Sequence, residues 1–395
     1  MKKFYANKLA TVCILLFILS AWFSKSFVLK LYDAGISFFS DFNITRLIEN
    51  VDNASKKISY KNALLDLNSY VMQISDVKKI KKEDMNVLRL DNEYLCYERR
   101  DISDELIKKA ADGCIKLKNK ADELDIPLLY IVAPFKLHFD ENVGGYSIED
   151  QEKFVSLLEN ENINVINIMD AMKNKGLGME ETFYITDHHW KTETGLWVSQ
   201  LLCEELKKLY NFNYNEEYYQ PHNFDVKVYE DIFLGSIGKK TGRFFTPLGV
   251  DDFSLITPKF DTQYIVNYKD KTLTGNFKET LLSLENIDKK DYYSLNPYAT
   301  YCHGDFPILT IENELMHDDG KTFLIIKNSY ANAVIPFFAS SAKKLYVLDI
   351  REGIVGDFHK QSVFEYIEQF NPDYIMVLYS GVDISPDDES AYVFD

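Results

Sequence analysis

The sequence predicts an α/β fold: a three-layer parallel sheet with helices on both faces, a β-rich insertion, and an N-terminal transmembrane anchor. Three observations carry this prediction. Short apolar runs with β-branched members alternate with amphipathic helical patterns over 102–169 and again over 321–380. Buried strands joined by helices make a parallel sheet covered on both faces. Between about 211 and 320 aromatic and polar residues alternate, and turns recur without a long helix. Finally, one uncharged apolar stretch at 9–23 follows the basic start "MKKFYANK". The organisation read from this is an anchor at 1–30, an N-terminal helical region at 31–120, and an α/β domain at 121–395 interrupted at about 211–320.

In the first segment, three lysines precede a run of near membrane length, on the short side for a full span. Lys8 and Lys25 can snorkel to the headgroups and extend it. The lysine bias puts the N-terminus inside and everything after Phe23 on the extracytoplasmic side. Trp22 and Phe23 have the character of interfacial residues, which favours a retained single-pass anchor. Ser24 and Ser26 form a weak small-x-small site, and cleavage there would release a secreted protein. Residues 31–101 are mixed and polar, with weak helical patterns at 44–58 and 62–74.

The alternation then begins. Ile102, Leu106, Ala110, Cys114 and Leu117 have helical spacing, with Asp101 or Ser103 available as the N-cap. "IPLLYIVAP" follows as a strand, "IEDQEKFVSLLENEN" as a helix and "INVINIM" as a strand. "TETGLWVSQLLCEELKKLY" is a strongly amphipathic helix with Thr192 as candidate N-cap. After the insertion come strand "KTFLIIK", helix "AVIPFFASSA", strand "KLYVLDIR", helix "QSVFEYIEQF" and strand "YIMVLYS".

The net charge of -17 over 395 residues repels nucleic acid, which removes that class of partner. The five cysteines form no CxxC pair and no zinc-like spacing. Cys114 and Cys203 read as small buried hydrophobes.

Only seven histidines occur, yet two are adjacent in "YITDHHWKT", between a strand and a helix. Loops at the ends of parallel strands are where ligand sites gather. In an extended loop side chains two apart share a side. Asp187 and His189 then face one way and His188 the other, the carboxylate fixing the imidazole. A metal set is the competing reading. Adjacent imidazoles diverge, and neither "HGD" (His303, Asp305) nor "HDD" (His317–Asp319) adds a helical i, i+4 histidine. No metal and no cofactor are therefore expected. A plain polar cluster, with Asp187 capping a turn, is the bland alternative.

The candidate nucleophile is Ser329 in "FLIIKNSYANAVIPFF". A Ser on a strand-to-helix turn presents its hydroxyl at the sheet edge, where N–H groups of the incoming helix can hold an oxyanion. No G-x-S-x-G elbow is present, so an ordinary α/β-hydrolase is excluded. Helix capping by Ser329 or Asn332 is the alternative. "GSIGKKTGRF" fails the phosphate-loop pattern because Phe233 stands where a Gly is required. Its Ser236, Lys239, Lys240 and Arg243 form either a hairpin or a basic patch reaching toward the site.

"TDHHW" followed by T-x-x-G, then "FLGSIGKKTG", then "IIKNSYANAVIPF…YVLDIR" resemble the DHHW family of bacterial surface proteins. That family is similar to the alginate O-acetyltransferase group and, more distantly, to SGNH hydrolases. The likeness covers about 134–351. It implies an SGNH-like fold with Ser329 as nucleophile, His189 as base and Asp187 as its partner, in permuted order. His188, Trp190, Asn328, Tyr330, Ser236, Lys239 and Arg243 become supporting or substrate-binding candidates. The family usually has Asp before the Ser, where this chain has Asn328. The implied activity is O-acetyl transfer to a cell-surface polysaccharide. A multi-span membrane acyltransferase would deliver the acyl group. An esterase of the same fold and a non-catalytic glycan-binding scaffold are the rival expectations.

Overall fold

A computed structural model describes residues 61–81, 86–98, 102–139, 148–351, 354, 361–380, 384 and 390–395. The anchor expected at 1–30 and the weak helical pattern at 44–58 lie outside the described residues. Among the described residues no helix is long and apolar enough to cross a membrane.

Helix α1 (Lys61–Ile74) precedes a small antiparallel sheet of β1 (Lys79–Ile80), β2 (Val87–Arg89) and β3 (Leu95–Tyr97). These strands are two or three residues long, too short for hydrophobic alternation to register in the sequence. Helix α2 (Asp104–Glu123) starts where the Ser103 hydroxyl accepts the Leu106 N–H, and buries Ile107, Ala110, Cys114 and Leu117. Strand β4 (Leu128–Ala133) is buried at every position, so both of its faces are covered. Next come α3 (Ile148–Asn160), β5 (Asn164–Asn167) and α4 (Ile168–Lys175). The Asn167 side chain caps α4 by accepting the Met169 N–H, which ends the strand earlier than its apolar pattern. Helix α5 (Thr192–Tyr210) has Lys191, not Thr192, at its cap position; Thr192 is its first helical residue.

The insertion contains β6 (Phe224–Phe233), the short helix α6 (Ser236–Thr241), β7 (Asp251–Pro258), β8 (Tyr264–Tyr268), β9 (Lys271–Gly275) and β10 (Ile308–Asn313). The chain closes with β11 (Thr322–Lys327), β12 (Lys344–Leu348), α7 (Val363–Phe370) and β13 (Tyr374–Ser380). The sequence expectation of one helix between β11 and β12 meets a broken path instead. A 3-10 turn at Ser329–Ala333 leads to a helical turn at Ile335–Phe338, with Pro336 in its first turn.

The main sheet has eight strands in the order β5-β4-β13-β11-β12-β10-β8-β9. The first five run parallel, whereas β10, β8 and β9 are joined through antiparallel pairings. The all-parallel expectation is thus corrected to a mixed sheet. The physical reason is the edge of β12. Left open it would expose unpaired N–H and C=O groups, and β10 covers it along Ile308–Glu312. Strands β6 and β7 form a separate ribbon.

Helix α5 sits against the turn after β11 at one glycine. A Cβ on Gly195 would lie 2.3 Å from the Ala333 carbonyl oxygen, so only hydrogen fits. Gly195→Ala should lower stability by about 1–3 kcal/mol, because overpacking outweighs a helix-propensity gain of at most about 1 kcal/mol. A urea midpoint unchanged or raised would contradict this packing.

Candidate active site

The C-terminal ends of β4 and β11 lie on the same edge of the parallel part of the sheet, and the chemistry-bearing loops gather there. Ser329 follows β11 directly. Asn328 caps its turn, with Oδ1 accepting the Tyr330 N–H at 3.0 Å and Nδ2 donating to Ser380 Oγ at 2.9 Å. Those bonds need an amide oxygen and an amide N–H, which Asn supplies without a charge. The Ser329 N–H has no hydrogen-bond partner among the described residues, and it points out of the start of that turn.

Asp187, His189 and Ser329 come together. His189 Nδ1 lies 2.6 Å from Asp187 Oδ1, and His189 Nε2 lies 2.7 Å from Ser329 Oγ. With Nδ1–H donating to the carboxylate, Nε2 is left with a lone pair facing the hydroxyl. Asp187 Oδ1 also accepts the His189 N–H at 2.9 Å, and Oδ2 accepts the Ser236 N–H at 2.5 Å. Burial alone would push this carboxyl up. The His189 and His188 rings and the Ser236 N–H outweigh it and hold Asp187 well below the usual carboxylate range.

The extended-loop expectation for His188 is corrected. Because Asp187 accepts the His189 N–H, the segment curls rather than extends. His188 lies beside His189, with ring centroids 3.8 Å apart, and its Nδ1 is 3.5 Å from Asp187 Oδ1. Its hydrogen bond goes to Ser236 Oγ at 2.9 Å. Asp187, His188 and His189 therefore place potential ligand atoms within 4.8 Å of one another, a set able to hold a metal ion. In this geometry both His189 nitrogens are already committed, to Asp187 and Ser329.

Tyr330 staples the two loops. Its hydroxyl donates to the His188 carbonyl at 2.7 Å, while its own carbonyl accepts from Trp190 Nε1 at 2.9 Å and the Tyr298 hydroxyl at 3.2 Å. Tyr298 also stacks on His189 at 4.0 Å and 13°, which fixes the imidazole plane. On the far side of Ser329, buried Lys327 bonds Asp305 and, at 2.9 Å, Asn332 Oδ1. Asn332 Nδ2 donates to Asp305 Oδ1 at 2.9 Å, so one carboxylate from the insertion ties both ends of the turn that carries Ser329.

The "GSIGKKTGRF" run forms helix α6, not a hairpin. Gly235 permits this, since a Cβ there would sit 2.3 Å from Asp187 Cβ. Ser236 enters the site, whereas half-buried Lys239 donates to the Leu295 carbonyl at 2.6 Å and Arg243 binds Asp66 away from it. Sequence reasoning missed Tyr298 and Asp251, and reached Asp305 only as a possible metal ligand. Asp251 is fully buried and accepts from the Ile185 N–H, from the Thr186 N–H at 2.8 Å and from the Thr186 hydroxyl at 2.6 Å. Nothing near Asp251 in the sequence marks it; only its placement behind the 185–189 segment does.

No family model and no curated protein matches the chain. Solved structures do. Bacillus cereus PatB1 with a sulfonyl adduct superposes with a TM-score of 0.64 at 18% identity, over 80% of this chain and 100% of that one. A DHHW family protein from Eubacterium siraeum reaches 0.56 at 17% identity, over 80% of this chain and 97% of that one. The O-acetyltransferase domain of Pseudomonas putida AlgJ lies further off, at 0.43 and 12% identity over 75% and 91% of the two chains. The solved structures that this chain resembles therefore include a DHHW family protein, the family its motifs resemble, and the likeness is one of fold.

Burial pushes the Asp251 carboxyl up to about 6, against the hydrogen bonds from Thr186 and Ile185 and the charge of Lys136. Its ordinary value is about 3.9, so between about pH 4 and 6 the folded chain binds this proton more than the unfolded chain does. Its contribution to stability is full below that range and is lost as pH rises through it. Asp251→Asn should remove this fall from the pH profile of the urea midpoint. An unaltered slope between pH 4 and 6 would contradict the burial argument.

Proposed function

We propose that this chain is an extracytoplasmic O-acyltransferase, with acetyl as the acyl group and a cell-surface polysaccharide as acceptor. The observation that carries it is the hydrogen-bonded series Asp187–His189–Ser329, at 2.6 and 2.7 Å, with the nucleophile on a turn whose first N–H has no partner among the described residues. Its likeness in fold to a DHHW family protein agrees with this reading, as does PatB1, whose solved structure carries a sulfonyl adduct.

In this reading His189 Nε2 takes the Ser329 proton as Oγ attacks the acyl carbon. The tetrahedral oxyanion accepts from the Ser329 N–H. Collapse expels the donor's alkoxide, which leaves with the proton from His189, and an acyl-serine remains. A sugar hydroxyl then gives its proton to His189, attacks the acyl carbon and departs as the ester, returning hydrogen to Ser329. Asp187 stabilises the imidazolium and keeps its tautomer. The donor would be delivered by a multi-span membrane acyltransferase, with the apolar N-terminal stretch anchoring the chain beside it.

The test is covalent labelling. A sulfonyl fluoride should label Ser329, as read by peptide mass spectrometry. His189→Ala should slow labelling about 10²- to 10⁴-fold, and His188→Ala far less. Labelling indifferent to His189 would refute the pair. A bound metal at about one per chain that labelling requires would replace the triad with the metal set. An activated acetyl ester should be hydrolysed slowly, with transfer overtaking water once oligosaccharide is present, since a held acceptor gains a large effective molarity. Fast hydrolysis that no sugar diverts would mean an esterase, and no labelling at all a scaffold. Protease added to intact spheroplasts should degrade the α/β domain; its protection would overturn the compartment.

A further inference from the structure

We infer that the cleft between α1, the end of α6 and the 289–293 segment binds a stretch of the acceptor glycan remote from the reacting hydroxyl. The first observation concerns exposure. The chain has 56 Phe, Tyr and Trp residues, counting 27, 26 and 3 of each. Among the described residues only two of them are strongly exposed, Tyr70 at 49% and Phe244 at 43%. They lie together in this cleft, with ring centroids 6.5 Å apart and planes at 85°. The other described Phe, Tyr and Trp rings are buried or half-covered. A pair left open in one concavity therefore calls for an apolar-faced ligand that is itself water-soluble.

The second observation is that the cleft is built. It encloses about 890 Å³ and has both aromatic and charged walls. Asp66, 6% exposed, collects the Arg243 N–H at 3.0 Å, Arg243 Nε at 2.8 Å and the Tyr293 hydroxyl at 2.5 Å. Those bonds hold α1, α6 and the 289–293 segment in one arrangement. The Arg243 guanidinium lies over both Phe244 and Tyr292, at 5.1 and 5.0 Å from their centroids, which sets the angle of those rings. Exposed Lys289 and Lys290 stand at the rim as donors. Flat apolar faces with hydroxyl-reaching donors around them match a pyranose, which offers C–H faces and an equatorial fringe of hydroxyls.

The third observation connects cleft and reacting atoms. Helix α6 begins at Ser236, bonded to Asp187 and His188, and ends just before Arg243 and Phe244. Its six residues span about 9 Å, within reach of a short oligosaccharide. The surface between carries Tyr97, whose ring lies 5.9 Å from His188 and under Lys240 Nζ at 4.9 Å. A chain crossing from Ser329 to Tyr70 thus meets aromatic rings and ammonium groups along its way. The inference takes its acceptor from the acyl-transfer reading, but its test does not need turnover.

The experiment is calorimetric binding of cellotetraose, chitotetraose and tetragalacturonate to the full-length Ser329→Ala chain. At least one tetrasaccharide should bind, and Tyr70→Ala and Phe244→Ala should each weaken it by about tenfold. Both rings are exposed, and circular dichroism melts matching the parent would show that each variant is folded. Lys290→Ala, which touches no ring, gives a second reading and should weaken the same ligand. Binding of none of the three, or binding that ignores both ring variants, overturns the cleft as a glycan site. Covalent labelling of Ser329 reports separately. Labelling without glycan binding removes this cleft and leaves the triad; binding without labelling does the reverse.

Discussion

Almost everything at the sheet edge depends on how one buried carboxylate is held. Asp187 accepts from its own loop through the His189 N–H, from the imidazole through Nδ1 and from the start of α6 through the Ser236 N–H. A charged group this deeply buried is tolerated only when its lone pairs are so occupied. The donors come from two parts of the chain, His189 in the same loop and Ser236 at the start of α6, so satisfying Asp187 also fixes where those parts lie. The loop in front of it is fixed in turn by Asp251. The Thr186 hydroxyl donates to that carboxylate and accepts the Gly235 N–H at 2.8 Å. Two acids therefore set one segment from opposite sides, one below the usual carboxylate range and the other above it.

The Ser329 side is tied by a different device. Lys327 is buried, with Asp305 and Asp349 beside it, and their charges raise its affinity for the proton despite burial. Arg351 closes the set on Asp349. Replacing such a cluster with apolar residues need not cost stability, but breaking it would strand a charge. Its effect at this place is to fix the turn on which Ser329 rides. The insertion contributes Asp305, Tyr298 and Ser236, so it is part of the site's scaffold as well as an extension of the sheet.

Much of this was legible in the sequence. Helices α2, α3, α5 and α7 and strands β4, β11, β12 and β13 follow patterns of apolar spacing that local physics imposes. His189 could be singled out because two of only seven histidines stand together in a loop, Asp187 because it lies two residues before it, and Ser329 because it sits on a strand-to-helix turn. What could not be read was long-range. β10 covers β12 through a pairing that neither strand's own pattern encodes, and the tiny strands β1–β3 carry too few residues for a period. His188 lies beside His189 because an Asx turn at Asp187 curls the loop, a local bond that strand-like alternation does not describe. Asp251 and Tyr298 stand in ordinary surroundings, and they matter only through partners 65 and 32 residues away.

The last described strand, β13, is the third in the sheet, between β4 and β11. On one side of it lies a half-sheet of β5 and β4, and on the other the remaining five strands. The loop carrying Asp187 and His189 belongs with the first half through Lys136, which follows β4 and donates to the Ile185 carbonyl at 3.1 Å. Ser329, directly after β11, belongs to the second half. The site therefore straddles the place in the sheet that β13 fills, and above it the bonds of His189 to Ser329, Trp190 to Tyr330 and Tyr330 to His188 cross the same line. A chain lacking only Tyr374–Ser380 would keep Asp187, His189 and Ser329 but lose the one strand that pairs with both β4 and β11, leaving the loop-to-loop contacts alone to hold them in line.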